Sequence, residues 1–340
     1  GVIGLLVQDS VPNLRAVAEA GACGYKSFLG ETIGKIPAPD DGMMLDGLKE
    51  IAELGLRIGF HAENNEIMQH LIRQMKAAGR KDWQAHVDSR PALAECESIQ
   101  RMALFAKAIG TRIHIFHLSS SDGLNMIDKW RAEGVDITTE TGAHYVFKKA
   151  EDMDQTHERL RMNPPVRWGH EGHGPELLAG VKDGRVNQIA TDHSPHTAEE
   201  KLTGDIWTAI SGYPQVEISV RLWLTHGVNT GKMTLQEFVR ATSEGPAKTW
   251  DLYPQKGCLA VGSDGDLTIL DLNEEGVIRD DELHSKNHVT PFDGDPYKGN
   301  AVATILRGRI IMKNGKLTSD KSNGQLVRPK KRSEEHTSEL

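Results

Sequence analysis

The sequence predicts an α/β protein in which repeated βα units build a parallel sheet and a small β-rich subdomain follows. Short apolar runs alternate with stretches of helical period from residue 1 to about residue 250, which is typical of βα units. Beyond Pro254 the sequence pattern changes to short strand candidates separated by glycines. At 340 residues, the chain is long enough for one barrel-sized domain with additions.

The predicted strands of the first region are short apolar runs, and the predicted helices lie between them. The strand candidates are residues 3–7, 25–29, 57–61, 112–118, 136–139 and 186–191. The helix candidates are residues 13–20, 45–54, 66–78, 92–109, 123–133, 175–182, 217–225 and 235–242. Polar faces, such as Asp46 with Lys49 and Glu50, are those expected of helices on the outside of a sheet.

The second region contains three strand candidates, at residues 266–271, 301–306 and 310–312. The last two are joined by R-G-R, a connection that predicts a β-hairpin.

The change of sequence pattern beyond Pro254 predicts the domain boundaries. We expect a barrel domain over residues 1–253, a β-rich, sandwich-type subdomain over 254–320 and a disordered tail over 321–340. Residues 332–340 read R-S-E-E-H-T-S-E-L, which resembles a translated sequencing adapter, and we set them aside as artefactual.

Composition narrows the functional classes. Hydrophobic residues make up 38% and charged residues 26%, as in a globular protein, and the net charge of −8 argues against non-specific nucleic-acid binding. Cys23, Cys96 and Cys258 lie too far apart for a thiolate zinc site or a disulfide framework. We expect no membrane segment, because no apolar run approaches spanning length, and a reducing cytoplasm is the default location.

Residues able to bind metal stand at the ends of three predicted strands. R-I-G-F-H ends on His61, R-I-H-I-F-H ends on His117 and Q-I-A-T-D ends on Asp192. Alternation along the strand predicts that His117 shares a side with Ile113 and Ile115. Each histidine alone could be a core residue, and Asp192 alone could cap the turn that follows. Because the C-terminal strand ends of a βα barrel form its active-site face, the three together predict metal ligands.

Lys26 stands in a fourth strand candidate, within G-Y-K-S-F. An ammonium group has no lone pair, so an unmodified Lys26 is a poor metal ligand and could simply be solvated or ion-paired. Its neutral amine could instead take up carbon dioxide to form a carbamate, which is a carboxylate on a long arm. The sequence leaves both interpretations open.

Seven motifs in register resemble those of the cyclic amidohydrolases, the group of dihydroorotases, allantoinases and hydantoinases. They are G-Y-K-S-F-L-G, H-A-E-N, R-P-A-L-A-E, H-L-S-S, E-T-G-A-H-Y, N-P-P-V-R and A-T-D-H-S-P-H. The resemblance covers about residues 1–320. It implies a TIM-like (β/α) barrel of the metal-dependent amidohydrolase type with two divalent metal ions, usually zinc, bridged by a carboxylated lysine and a hydroxide.

The resemblance also implies roles for individual residues. Lys26 would be the bridging carbamate, His61 and His117 would hold one metal ion, and Asp192 would touch the other ion and shuttle the proton. His196, four residues after Asp192, and Asn163 would contact a small cyclic amide substrate. For His196 a capping role at the Ser194–Pro195 turn is the alternative, and for Asn163 a turn role before a proline. Members of the family commonly form homo-oligomers.

One element of the family pattern is missing. The family carries an H-x-H pair on its first barrel strand, and none of the fifteen histidines here forms such a pair. Together with the abrupt apolar start at Gly1, this predicts a chain truncated at its N-terminus, with an incomplete barrel. We expect such a fragment to hold the second metal ion weakly and to be inactive or nearly so.

The motifs give an order of preference among the three kinds of cyclic amidohydrolase. M-N-P-P-V-R and A-T-D-H-S-P-H favour a dihydroorotase, whereas H-A-E-N and H-I-F-H-L-S-S favour an allantoinase. Hydantoinases usually carry tyrosine where Glu31 stands and serine where Asn163 stands, so we rank a hydantoinase third.

Two other classes compete with a cyclic-amide hydrolase. A non-catalytic structural relative need not keep Lys26, His61, His117 and Asp192 together. A mononuclear barrel hydrolase such as a deaminase normally lacks the lysine, so Lys26 is the discriminating residue.

Overall fold

The computed structural model describes residues 1–30, 36–318 and 324–329. Within them, six strands form one parallel sheet in the order β1-β2-β3-β4-β5-β6, so that each strand pairs with the next one along the chain. The strands are β1 (Val2–Leu5), β2 (Ala22–Phe28), β3 (Arg57–His61), β4 (Arg112–Ile115), β5 (Ile137–Thr141) and β6 (Gln188–Ile189). This parallel half-barrel confirms the predicted α/β architecture.

Helices follow the strands. They are α1 (Leu14–Ala20), α2 (Asp41–Glu53), α3 (Asn65–Ala77), α4 (Ala85–Asp88), α5 (Ala92–Ile109), α6 (Ser121–Ala132), α7 (Ala143–Phe147), α8 (Met153–Thr156), α9 (His173–Asp183), α10 (Ala198–Lys201), α11 (Ser219–Trp223), α12 (Leu235–Val239) and α13 (Gly245–Thr249). Of these, α1, α2, α5 and α6 pack against the parallel sheet. Two π-helical turns, Leu224–Val228 and Arg240–Glu244, continue α11 and α12. Short 3-10 turns lie at Val11–Asn13, Ala150–Asp152, His157–Leu160, Gly169–Glu171 and Asp280–Glu282.

The described part of the second region is a four-stranded antiparallel sheet in the order β10-β9-β8-β7. Its strands are β7 (Leu267–Val277), β8 (Pro296–Leu306), β9 (Arg309–Lys313) and β10 (Lys316–Leu317). The predicted hairpin is confirmed: Leu306 pairs with Arg309, and Arg307 and Gly308 between them both have positive φ. A two-residue loop with φ positive at both positions matches the right-handed twist of paired strands. The tail over residues 332–340 lies outside the described residues.

The two faces of the parallel sheet differ in character. Ile58, Phe60, Ile113 and Ile115 are fully buried on the outer face, in the main hydrophobic core beneath the helices. On the inner face, the strand register aligns polar and small residues in one layer. That layer consists of Lys26, Gly59, His114 and Thr138.

Motif residues also begin two of the helices that follow the strands. The Asn64 side chain accepts a hydrogen bond from the Ile67 amide at the start of α3, at 3.1 Å. The Ser120 hydroxyl accepts one from the Gly123 amide at the start of α6, also at 3.1 Å. Both caps satisfy amides that have no partner within the helix. The motifs H-A-E-N and H-L-S-S therefore mark points where a strand ends and the next helix begins.

Candidate active site

A pocket of about 240 Å³ opens at the C-terminal ends of the parallel strands. Its lining consists of Lys26, Phe28, His61, His117, Met162, Asn163, Asp192, Ser194, Ser211 and Gly212. The structure thus brings together the three side chains predicted from the strand ends and Lys26, although they are separated by up to 166 positions in the sequence. Carboxyl ends of parallel strands meet at one edge of the sheet, which explains the convergence.

His117 reaches this pocket in a way that alternation did not predict. β4 ends at Ile115, and His117 itself has φ of +40°, in the left-handed region. The ring therefore faces His61, with 3.0 Å between His117 Nε2 and His61 Nδ1, while Ile113 and Ile115 stay in the core behind the sheet. The prediction that His117 shares their side was wrong because the strand stops before His117. A left-handed non-glycine residue is uncommon and clusters at functional sites.

Asp192 has the same backbone feature, with φ of +47°. Burial raises the pKa of its carboxyl group, and the nearby charges of Lys26 and His61 lower it in part. The next residue, His193, turns away: its Nδ1 accepts hydrogen bonds from the backbone amides of Gln215 at 3.0 Å and Val216 at 3.1 Å. Asp192 is therefore the acid that this strand end presents to the pocket.

Lys26 lies between two aromatic rings on the inner face of the sheet. Its Nζ stands 4.7 Å from the ring centroids of both Phe28 and Phe116. Phe116 itself fits because Gly59 has no side chain: a Cβ there would lie 2.2 Å from the ring. The aromatic walls hold the lysine arm so that it points along the inner face toward the pocket.

Glu140 lies on the same inner face and is a residue that the strand-end argument missed. It accepts a hydrogen bond from Gln188 Nε2, and His114 Nε2 lies 3.3 Å away. Burial alone would raise the pKa of Glu140, but His114, Gln188 and the charge of Lys26 bring it below its ordinary value. An acid inside a strand of otherwise β-branched residues, I-T-T-E-T, was the available sequence signal.

The two histidines fit a divalent metal ion. Nitrogens of two imidazoles bound to one tetrahedral zinc lie about 3.3 Å apart, close to the 3.0 Å between His61 Nδ1 and His117 Nε2. Burial, together with the charges of His61 and Lys26, holds the pKa of His117 well below its ordinary value, so its ring keeps a lone pair. Over residues 1–30, 36–318 and 324–329, no three His, Cys, Asp or Glu side chains are grouped to hold a metal. A third ligand from Lys26 would require the carbamate.

A buried ion pair supports His61 from behind. His61 Nε2 lies 2.8 Å from Glu63 Oε2, and Arg90 Nη1 lies 2.6 Å from the same oxygen. Burial alone would raise the pKa of Glu63, but Arg90 and His61 bring it down to about 2. Glu63 is therefore a carboxylate at neutral pH.

A second cluster supports the loop after His117. The amide and hydroxyl of Ser119 both donate to Glu95 Oε1, at 2.9 and 2.8 Å, and Arg167 Nη2 donates to the Ser119 hydroxyl at 2.7 Å. Arg167 also donates to the backbone carbonyl of Arg90, which joins the two clusters. Glu63, Arg90, Glu95 and Arg167 were not predicted as functional, yet all four lie in motifs that the sequence displays. Their charge inside the motifs was the available sequence signal.

The two predicted substrate residues differ in position. Asn163 lines the pocket, and its Oδ1 accepts a hydrogen bond from the Ser211 hydroxyl at 3.0 Å. Of the described residues, those that line the pocket include Ser194 but not His196, whose Nε2 lies 3.3 Å from the Ser194 hydroxyl. His196 therefore lies behind Ser194, outside the lining of the pocket. The hydantoinase comparison at Glu31 concerns a position outside the described residues.

Comparison with known proteins decides the family. A sequence profile described as the Amidohydrolase family matches residues 32–311. The chain belongs to the amidohydrolase family. Amidohydrolases are generally metal-dependent, in agreement with the two converging imidazoles.

Individual relatives of this amidohydrolase are cyclic amidohydrolases. It is 36% identical over 324 residues to the L-hydantoinase of Paenarthrobacter aurescens, covering 94% of this chain and 70% of that protein. It is 35% identical to the allantoinase of Solibacter usitatus, covering 96% of this chain and 71% of that protein.

Solved structures give the same result for the fold. The L-hydantoinase (dihydropyrimidinase) from Arthrobacter aurescens superposes with a TM-score of 0.90 at 36% identity, covering 93% of this chain and 70% of that one. The D-hydantoinase (dihydropyrimidinase) from Thermus sp. superposes with a TM-score of 0.88 at 28% identity, covering 96% and 72%.

These relatives confirm the predicted cyclic amidohydrolase family and its TIM-like barrel fold, and they identify the class as hydrolases of small cyclic amides. They favour the allantoinase and hydantoinase alternatives over the dihydroorotase that the motifs ranked first. Among the residues that the structure describes, no helix is long and apolar enough to cross a membrane.

Proposed function

We propose that this amidohydrolase opens a hydantoin-type ring, the five-membered cyclic ureide that hydantoin and allantoin share. The observation that carries the proposal is the convergence of Lys26, His61, His117 and Asp192 on one pocket, in a chain whose relatives include a hydantoinase and allantoinases. A pocket of about 240 Å³ is smaller than those that hold drug-sized ligands, which suits a small ring.

The metal centre in this proposal uses residues already in place. His61 and His117 would hold one divalent ion, and carboxylated Lys26 and Asp192 would help to hold a second. When bound, such ions supply a water of lowered pKa and polarise the scissile amide carbonyl. The remaining chemistry belongs to the side chains.

Asp192 moves the proton in this proposal. As a carboxylate it accepts a proton from the attacking water, and it then returns that proton to the ring nitrogen that leaves. Protonation of that nitrogen is needed because an amide anion is a poor leaving group. The burial that raises the pKa of Asp192 favours a carboxyl group that must bind a proton during the cycle.

The rest of the pocket would orient the ring. Asn163 and Ser211, hydrogen-bonded to each other on the wall, offer polar groups to the N–H and C=O groups of a ureide. Phe28 and Met162 supply apolar surface to the ring faces. His196 would act indirectly, through Ser194.

The test measures ring opening of hydantoin, allantoin and dihydroorotate by the chain supplied with excess zinc, manganese or cobalt. We expect the hydantoin-type rings to be opened faster than dihydroorotate, and Asp192→Asn to abolish the difference. Because we expect low turnover, calorimetric binding of the same three compounds provides a second measurement with the same expected order. A preference for dihydroorotate in both measurements would refute the proposal.

We also predict the metal stoichiometry. Since none of the fifteen histidines forms an H-x-H pair, the chain should retain one ion tightly and the second only at high metal concentration. Metal analysis after dialysis against a weak chelator measures this directly. Two ions retained per chain would contradict the prediction.

A further inference from the structure

The network behind the histidines has a feature that family membership does not explain. Glu63 follows His61 by two residues, just beyond the end of β3, and the two side chains are in contact. Glu63 is 1% exposed, and one of its oxygens, Oε2, contacts both His61 Nε2 at 2.8 Å and Arg90 Nη1 at 2.6 Å. A buried carboxylate in contact with a histidine can determine which ring nitrogen of that histidine carries the proton.

The contact determines which nitrogen of His61 carries the proton. Arg90 is a permanent cation, so Glu63 beside it is a carboxylate that can only accept hydrogen bonds. His61 Nε2 must therefore be the donor. In the neutral ring this leaves the lone pair on Nδ1, the nitrogen that faces His117 Nε2 at 3.0 Å.

We propose that Glu63 is a positioning residue that holds His61 in the Nε2–H tautomer, with Nδ1 presented to a divalent metal ion. The inference rests on the proposed metal centre and adds to it a residue outside the ligand set. Metal-binding histidines commonly donate their second N–H to a carboxylate, which fixes the ring and raises its basicity.

The same network extends to the second histidine. Arg90, which holds Glu63, accepts a hydrogen bond at its carbonyl from Arg167, and Arg167 donates to Ser119, two residues after His117. Four motifs, H-A-E-N, R-P-A-L-A-E, H-L-S-S and N-P-P-V-R, thus form one buried framework. The framework fixes the positions of the His61 and His117 rings relative to each other. This explains why charged residues occupy these buried positions.

Glu63→Gln is the main test variant, because it keeps the shape and removes the charge. A neutral amide accepts the two hydrogen bonds more weakly and leaves Arg90 without a counter-charge. If that buried cation prevents folding, the double variant E63Q/R90Q removes both charges together. The matched control is Asp251→Asn, which removes the carboxylate partner of Arg112 at the opposite end of the strands.

Two measurements on the full chain separate positioning from stability. Zinc affinity, from competition with a chromophoric chelator, should fall about 10- to 100-fold in both Glu63 variants and stay unchanged in Asp251→Asn. The ¹⁵N spectrum of the histidine rings in the metal-free chain should show a single Nε2–H tautomer for His61 in the wild type. Glu63→Gln should show a mixture of tautomers.

The outcomes distinguish the inference from the proposed function. Wild-type zinc affinity in both Glu63 variants would overturn the inference and leave the metal centre standing. Equal losses in Glu63→Gln and Asp251→Asn would reduce Glu63 to a structural role and overturn it as well. A wild-type chain that binds no zinc would refute the metal centre, and the tautomer then decides alone: His61 found as Nδ1–H would overturn the inference.

Discussion

At the end of the parallel sheet where the strands begin, Arg57 and Arg112 lie in ion pairs, whereas at the other end His117 and Asp192 hold left-handed backbones. The Arg57 guanidinium donates to three backbone carbonyls and, at 2.8 Å, to the Asp136 carboxylate, and the Arg112 guanidinium is paired with Asp251. Both arrangements pair a guanidinium with a carboxylate, although Arg112 Nε is buried without a hydrogen-bond partner among the described residues and Asp251 also has a positive φ, of +55°. This end of the sheet is organised for stability.

At the pocket end, buried hydrogen-bonding groups are left without partners in the part of the chain that the structure describes. Gln188 Oε1 and Glu63 Oε1 are buried and find no hydrogen-bond partner among the described residues. Lys26 faces aromatic rings, and burial disfavours the charge on Asp192. Buried ionisable groups that lack a direct ion pair lower stability, and they persist where a ligand or reaction uses them. The difference between the two ends therefore separates residues that fold the chain from residues that act.

The largest expected effect comes from Asp192→Asn. Asparagine tolerates the left-handed backbone at this position, so the fold should persist. Turnover of a hydantoin-type ring at saturating metal should fall on the order of 10³-fold, because no carboxylate remains to accept and return the proton. The melting temperature of the metal-free chain should rise, because a buried charge is removed.

Steady-state kinetics and thermal unfolding check these two results together. Undiminished turnover in Asp192→Asn would remove this residue from proton transfer. A fall in melting temperature would show that the Asp192 carboxylate stabilises the fold. That result would contradict the assignment of the pocket end to function rather than stability.

Lys26→Ala tests the carbamate. Without the lysine arm the chain should lose zinc affinity on the order of 100-fold or more, since a ligand contributes more than the outer partners of a ligand do. Acetate or propionate should restore part of the affinity by supplying a free carboxylate to the space between Phe28 and Phe116. Chelator competition with and without added acid measures both effects, and unchanged affinity would refute a ligand role for Lys26.

Much of the pocket end could be predicted from residue type and strand period, because parallel strands deliver their last residues to one edge. His61 ends β3 as that rule requires, whereas Lys26 lies within β2 and the strand pattern left its role open. The turn at His117 could not be predicted, because one left-handed residue after a strand leaves no mark in the hydrophobic pattern. The contact of Arg90 with Glu63 spans 27 positions and that of Arg167 with Ser119 spans 48, and periodicity carries no information at such separations.

Asp251→Asn tests the other end of the sheet. Arg112 and Asp251 are 12% and 14% exposed, so removing the carboxylate leaves a nearly buried guanidinium without its partner. Breaking a fully buried pair lowers stability by about 3–5 kcal/mol, and the partial exposure reduces the expected loss to about 2–3 kcal/mol. Urea unfolding should show this loss with zinc affinity unchanged. A change in zinc affinity would mean that the two ends are coupled.

The smallest effect concerns His144, which follows β5 at the pocket end. Burial lowers its pKa from the ordinary 6.5 to about 3, although a hydrogen bond with Gln215 opposes the shift. Because the folded chain holds this ring neutral, its contribution to stability is complete above pH 6.5 and declines as the pH falls toward 3. Between pH 7.5 and pH 5 the loss amounts to about 2 kcal/mol.

His144→Gln should remove that loss, since an amide can bond to Gln215 without titrating. Urea midpoints of the wild type and the variant at pH 7.5 and pH 5 isolate the difference, because every other titrating group is common to both chains. Parallel losses in the two chains would mean that His144 is not held neutral by the fold. A smaller loss in the variant would show that the pocket end, unlike the ion-paired end, limits the stability of the protein in mild acid.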